Sequence, residues 1–134
     1  MQKVLIMALV GMVGCVLAGC SGSREVEVKG EVTAPASVSV QGEVLVDFFD
    51  VVNEDDAPKS VSRIVLDEPG PFTQKAELEG DTVRVRALND RDGDGKCTEG
   101  EAWAEVDAPI GDDDSVAPIT LTLANQACPA ASGE

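Results

Sequence analysis

Histidine and tyrosine are absent from this chain, tryptophan occurs once and phenylalanine three times. Each shortage removes a class of function. Without histidine there is no imidazole to serve as general base near neutral pH or as nitrogen ligand to a metal. Neither a G-x-S-x-G turn nor a zinc-ligand spacing is present. We therefore expect no enzyme; a carboxylate pair or a bound calcium is the only route left to a hydrolase. Scarce aromatics also limit sugar recognition, which uses exposed rings. Trp103, Phe48, Phe49 and Phe72 are the candidates, and a small core needs most of them. Basic residues are few, 10 against 25 acidic ones, for a formal net charge of −15. Such a field repels nucleic acid phosphates and anionic lipids, so no nucleic acid partner is expected. Its chief consequence is a well-solvated surface, with cations and basic groups favoured as neighbours. Beyond the N-terminus no apolar stripe recurs at 3.6 residues, which argues against helices.

What the chain does contain begins with its one long apolar run. Lys3 is followed by uncharged, apolar residues 4–16 and then by Leu17-Ala18-Gly19-Cys20. A positive start, a hydrophobic stretch and small residues before a break are the layout of a secretory signal peptide. The final four residues resemble the lipobox of bacterial lipoproteins. That resemblance implies cleavage before Cys20, a diacylglycerol on its thiol and an acyl chain on the new amine. Several acyl chains hold a protein on a membrane far more firmly than one. An uncleaved membrane helix is the weaker reading, because the run is barely long enough to span and carries three glycines. The lipoprotein reading divides the chain into a signal peptide (1–19), a lipidated tether (20–24), a folded domain (25–128) and a flexible tail (129–134). By the sorting rules of that family, Ser21 in place of an aspartate implies the outer membrane, in a cell that has one.

On that reading the four cysteines sort themselves. Cys15 leaves with the signal peptide, Cys20 takes the lipid, and Cys97 and Cys128 remain. A leftover pair in an exported domain reads as one disulfide, worth roughly 3–4 kcal/mol on the chain-entropy account. The alternatives, two free thiols or a thiolate metal site, lack a C-x-x-C spacing.

Removal of the signal leaves about 115 residues, one domain's worth. Period-two alternation, the mark of half-buried strands, runs through residues 25–33, where Val26, Val28 and Val32 share a side. It continues through 38–40 and 43–52. In the latter, Val44, Val46 and Phe48 line one face and Leu45, Phe49 and Val51 the other. Apolar residues on both faces predict a central strand, with Asp47 its awkward member. Further strands are expected at 60–66, from Phe72 through Ala76 and Leu78, at 82–88, at 102–106, and across Ile119, Leu121 and Leu123. About seven short strands with turn signals between them predict an all-β fold, an antiparallel β-sandwich of immunoglobulin-like or prealbumin-like type.

Residues 90–101 read D-R-D-G-D-G-K-C-T-E-G-E and satisfy the D-x-D-x-D-G-x5-E pattern of the twelve-residue calcium loop. Calcium needs six to eight oxygens, and this spacing wraps one segment around it. Asp90, Asp92 and Asp94 would each present a carboxylate. Gly95 sits where the backbone must turn sharply. Lys96 would offer its main-chain carbonyl, Thr98 a bridging water, and Glu101 two oxygens. The alternative is an acidic turn that holds no ion. Strands, not helices, flank the loop, which argues against a sensor that opens a helix pair. The loop resembles the EF-hand-like loops set between strands in exported bacterial sandwich domains. Residues 72–101 are similar to transthyretin-like and Cna-B-like modules. Asp112-Asp113-Asp114 and residues 53–56 are expected to be solvated acidic loops.

Together these features predict a non-catalytic lipoprotein of the cell envelope, monomeric as a domain. It would be held at the membrane through Cys20, bind calcium chiefly for structure, and meet an envelope protein partner. Carbohydrate binding is the alternative from a different class.

Overall fold

The computed structural model describes residues 22–129. The lipobox with Cys20, the signal segment and most of the tail lie outside those residues. Eight strands form two sheets. In chain order they are β1 (Arg24–Thr33), β2 (Glu43–Val51), β3 (Lys59–Leu66), β4 (Pro71–Leu78), β5 (Thr82–Asp90), β6 (Ala102–Pro109), β7 (Ile119–Thr122) and β8 (Ala124–Asn125). One sheet has the order β4-β1-β7 and the other β3-β2-β5-β6-β8. Their facing sides enclose the core, so the fold is the expected all-β sandwich. All pairings between named strands are antiparallel except β1 with β7, which is parallel.

Alternation sets the core directly. Val26, Val28 and Val32 on β1 and Phe72, Ala76 and Leu78 on β4 face Val44, Val46 and Phe48 on β2 and Val83, Val85 and Ala87 on β5. Phe48 and Phe72 meet edge to face across the sheets, with centroids 5.9 Å apart. Gly30 makes room for this arrangement, since a Cβ there would lie 2.6 Å from the Phe72 ring and 2.4 Å from the Ile119 carbonyl. Burial at about 25 cal/mol per Å² of apolar surface is what drives these faces together.

The central position of β2 agrees with its two apolar faces. Its second face, however, is not a second core. Leu45 and Leu88 pair across β2 and β5, point away from the main cluster, and are still only 4% and 3% exposed. Residues 94–96 come against the same outer face, where they share a groove with Asp47, Phe49 and Arg63. Asp47 lies in the next row of the same face. It is paired across the sheet with Arg63, whose Nε and Nη2 both reach its carboxylate. The same row continues as the Arg86–Glu105 pair and the next carries Arg84–Asp107, a charge ladder on the outer face.

Three local differences from the alternation pattern have physical causes. Residues 38–40 are not a strand: Val38 donates its N–H to the Pro35 carbonyl in a turn, yet still buries its side chain in the core. Strand β6 runs past 106 because its ladder with β5 extends to Thr82–Pro109, and β5 runs past 88 because Asn89 and Asp90 pair with β2. The eighth strand, two residues long, is set by pairing with Ala102 and Trp103 and is too short for any periodicity to reveal.

The β2–β5 register fixes two poles. Glu43 and Asp90 are opposite each other at one end, Val51 and Thr82 at the other. Arg24, where the described chain enters β1, bonds the Gly80 carbonyl and pairs with Asp81 and Asp114. The chain therefore enters at the pole opposite the loop that follows Asp90.

Candidate metal centre

The β5–β6 hairpin builds this site. Its last ladder pair is Leu88 with Trp103, so the two strand ends bring Asp90 and Glu101 to the mouth of one connecting loop. Both are buried, at 5% and 3% exposure, whereas Asp92 and Asp94 lie toward solvent. Between them the backbone coils by local side-chain bonds. Asp92 Oδ1 accepts the Asp94 N–H at 3.2 Å, and Asp94 Oδ1 accepts the Lys96 N–H at 2.9 Å. Each is an aspartate bonding its own chain two residues on, the habit that makes this residue a turn former. Gly93 and Gly95 adopt left-handed backbone, with φ of 72° and 74°, which a side chain would strain. Gly95 in turn donates its N–H to Asp90 Oδ2 at 3.0 Å, closing the loop onto its first residue.

Glu101 closes the other half. Its Oε2 accepts the Arg91 N–H at 2.6 Å and its Oε1 the Thr98 N–H at 2.7 Å. Thr98 Oγ1 lies 2.9 Å from Asp92 Oδ2 and 3.2 Å from Asp94 Oδ2, with one proton to give. The result is four carboxylates, those of Asp90, Asp92, Asp94 and Glu101, each with an oxygen within 4.8 Å of the others. Of the six residues expected to contribute, these four converge by their side chains. Thr98 bonds two of the four, and Lys96 bonds through its main-chain N–H.

One atom at the centre is left over. Asp90 Oδ1 is buried and receives no hydrogen bond. A buried acceptor without a donor costs about 1–3 kcal/mol. Burial also pushes the Asp90 carboxyl above the usual carboxylate range, against the Gly95 N–H that favours its charged form; the charges of Glu101 and Asp92 push the same way as burial. Asp92 is held below that range, chiefly by the Thr98 hydroxyl and then by the Asp94 N–H. Converging hard oxygen donors, no nitrogen or sulfur among them, and one buried oxygen without a partner make a cluster suited to a hard cation.

One participant escapes sequence reasoning. Arg63 on β3 donates from Nη2 to the Gly95 carbonyl at 3.0 Å while it holds Asp47. This pair braces the loop against the sheet, and the only advance signal is the charge of Asp47 in an apolar strand. The tail joins the loop as the cysteine pairing predicts. Cys97, inside the loop, is bonded to Cys128, with Cα atoms 5.7 Å apart, so the pair is a disulfide and not two free thiols.

The aromatic side chains do not form an open sugar platform. Phe48 and Phe72 are buried against each other. The Arg86 guanidinium lies 5.1 Å from the Phe49 centroid and 5.7 Å from that of Trp103, whose indole N–H bonds the Ala127 carbonyl. The other acidic clusters are local turns. Ser115 Oγ bonds Asp113, Asp114 meets Arg24, and Asn53 Oδ1 accepts the Asp55 N–H.

No protein-family model matches the chain, and no curated protein matches it. Among solved structures it is similar to an alternative pilotin from the type II secretion system of Vibrio cholerae, at 11% identity and a TM-score of 0.35, over 77% of this chain and 100% of that one. An overlap that loose carries nothing over from one protein to the other.

Proposed function

We propose that the protein is an exported, lipid-anchored β-sandwich module that binds calcium through residues 90–101, chiefly to fix its own structure, and that it is not an enzyme. The observation that carries this reading is the partnerless, buried Asp90 Oδ1 at the centre of four convergent carboxylates. A cation there would answer the one unsatisfied oxygen and neutralise the mutual repulsion of the four acids. Asp90, Asp92, Asp94 and Glu101 would hold it, with the Lys96 carbonyl and a water held by Thr98 completing an all-oxygen shell. Calcium fits better than magnesium, which keeps its waters and demands a stricter octahedron. Binding to the folded loop alone stabilises the fold by mass action. Loops of this class in extracellular modules work at dissociation constants of about 10⁻⁴–10⁻³ M.

The anchor rests on the lipobox resemblance. With Cys20 lipidated, only three residues separate the membrane from Arg24. The loop then stands at the far pole, about 30 Å away along a nine-residue strand. It would face an envelope protein partner more readily than the bilayer. Calorimetric titration of the protein in detergent, with calcium and then magnesium, tests the reading; magnesium binding as tightly as calcium would overturn the metal assignment.

A further inference from the structure

We propose that the Cys97–Cys128 disulfide is an exchangeable redox site whose state sets the calcium affinity of the loop, and that its partner is a dithiol. The inference rests on the calcium reading above and adds regulation to that site.

The disulfide lies inside the metal loop. Cys97 stands between Lys96 and Thr98, and the Thr98 N–H bonds Glu101 Oε1. Its partner Cys128 belongs to a tail that docks on the strand following the loop. The Trp103 indole donates to the Ala127 carbonyl at 2.9 Å, and Gln126 Nε2 donates to the Trp103 carbonyl at 2.9 Å. Trp103 is two residues beyond Glu101. The bond therefore completes a ring from Cys97 through Cys128, Ala127 and Trp103 back to Glu101. That ring fixes the half of the loop that supplies both oxygens of Glu101 and the Lys96 carbonyl. The first half is held differently, by Asp90, the two glycines and Arg63. Opening the disulfide leaves the second half held only by the side-chain bonds of Thr98 and Glu101, looser than the first. The ion must then order the second half itself, and its affinity falls by that cost.

The bond is also reachable. Both cysteines are half-buried, not sealed in the core. Cys128 lines an open groove together with Glu99, Gly100 and residues 125–127. A thiolate of the dithiol attacks Cys128 Sγ from this groove. The Sγ–Sγ bond breaks, and Cys97 leaves as a thiolate and takes up a proton. The second thiolate of the dithiol then attacks the mixed disulfide and releases Cys128, which is protonated in its turn. Two electrons and two protons pass from the dithiol to the protein, and the dithiol leaves as a disulfide.

Linkage makes the coupling reciprocal: the factor by which reduction weakens calcium binding is the factor by which calcium resists reduction. The test uses the protein purified from membranes in detergent. Calcium is titrated into the oxidised form, the form reduced with dithiothreitol, and the Cys97→Ser/Cys128→Ser variant, with circular dichroism on each. The oxidised form is also equilibrated with dithiothreitol in chelator and in saturating calcium. The expected result is an affinity at least about fivefold weaker without the bond, the lower end of typical couplings. Sheet content should be retained, and the dithiothreitol equilibrium should shift by the same factor. A loss smaller than fivefold in the reduced and variant forms, with the oxidised form binding, overturns this inference alone. So does collapse of the sandwich on reduction in saturating calcium, or reduction only after denaturation. Absence of binding by the oxidised form removes the calcium reading and this inference together.

Discussion

Replacing Asp90 with asparagine should stabilise the protein in chelator and weaken it in calcium. Asp90 is 5% exposed and its carboxyl stands among three others. Its Oδ2 accepts the Gly95 N–H, and its Oδ1 has no donor. An asparagine keeps the carbonyl for Gly95 and turns its amide N–H₂ toward the acids that Oδ1 now confronts. Relief of one unsatisfied buried acceptor is worth roughly 1–2 kcal/mol, or about 4–8 °C in melting temperature for a domain of this size. Calcium reverses the order. The wild type gains about 2.7 kcal/mol when calcium stands at a hundredfold its dissociation constant. Asp90→Asn loses most of that, because a neutral amide oxygen replaces a charged ligand. Thermal melts of both proteins, in chelator and in excess calcium, give the four numbers required. A variant that melts below the wild type in both conditions would refute the reasoning, since the acidic cluster would then not be strained by its own charge.

Three further outcomes are expected. Glu101→Gln should weaken calcium binding by at least tenfold, since it removes the charge of the carboxylate that would give two oxygens, whereas Asp112→Asn should leave it within twofold; calorimetry compares them. Asp50, 2% exposed, accepts the N–H groups of Glu79 and Gly80 at 2.8 and 2.9 Å, so Asp50→Ala should destabilise the domain by roughly 3–5 kcal/mol in urea unfolding. A loss under about 1 kcal/mol would show that water replaces the carboxylate there. Cys20→Ser should abolish labelling by palmitate and retention on membranes, and a variant that still labels would remove the lipobox reading.

The parts of this structure legible in the sequence are those set by local period. Val26, Val28 and Val32 alternate because β1 has one buried face, and β2 carries two apolar faces because it lies between β3 and β5. The acidic loop is legible because its turns are made by its own residues: aspartates that bond two positions on, and glycines at positive φ. What is not legible depends on distant partners. Leu45 and Leu88 pair on the outer face and are nonetheless almost fully buried, which alternation alone does not reveal. Asp47 looks misplaced until Arg63, sixteen residues away, is seen to pair with it and hold the Gly95 carbonyl. The parallel placement of β7 beside β1 is likewise a matter of register between remote segments, which alternation does not encode.

The central claim is that residues 90–101 form a calcium site. Its most direct test is calorimetric titration of calcium into the oxidised protein after chelator treatment, followed by the same titration of Asp90→Asn. The account predicts one calcium per chain with a dissociation constant of about 1 mM or tighter, and a variant that binds at least tenfold more weakly. No binding up to about 10 mM calcium, beyond the range of extracellular loops of this class, or equal binding by the two proteins, would contradict it.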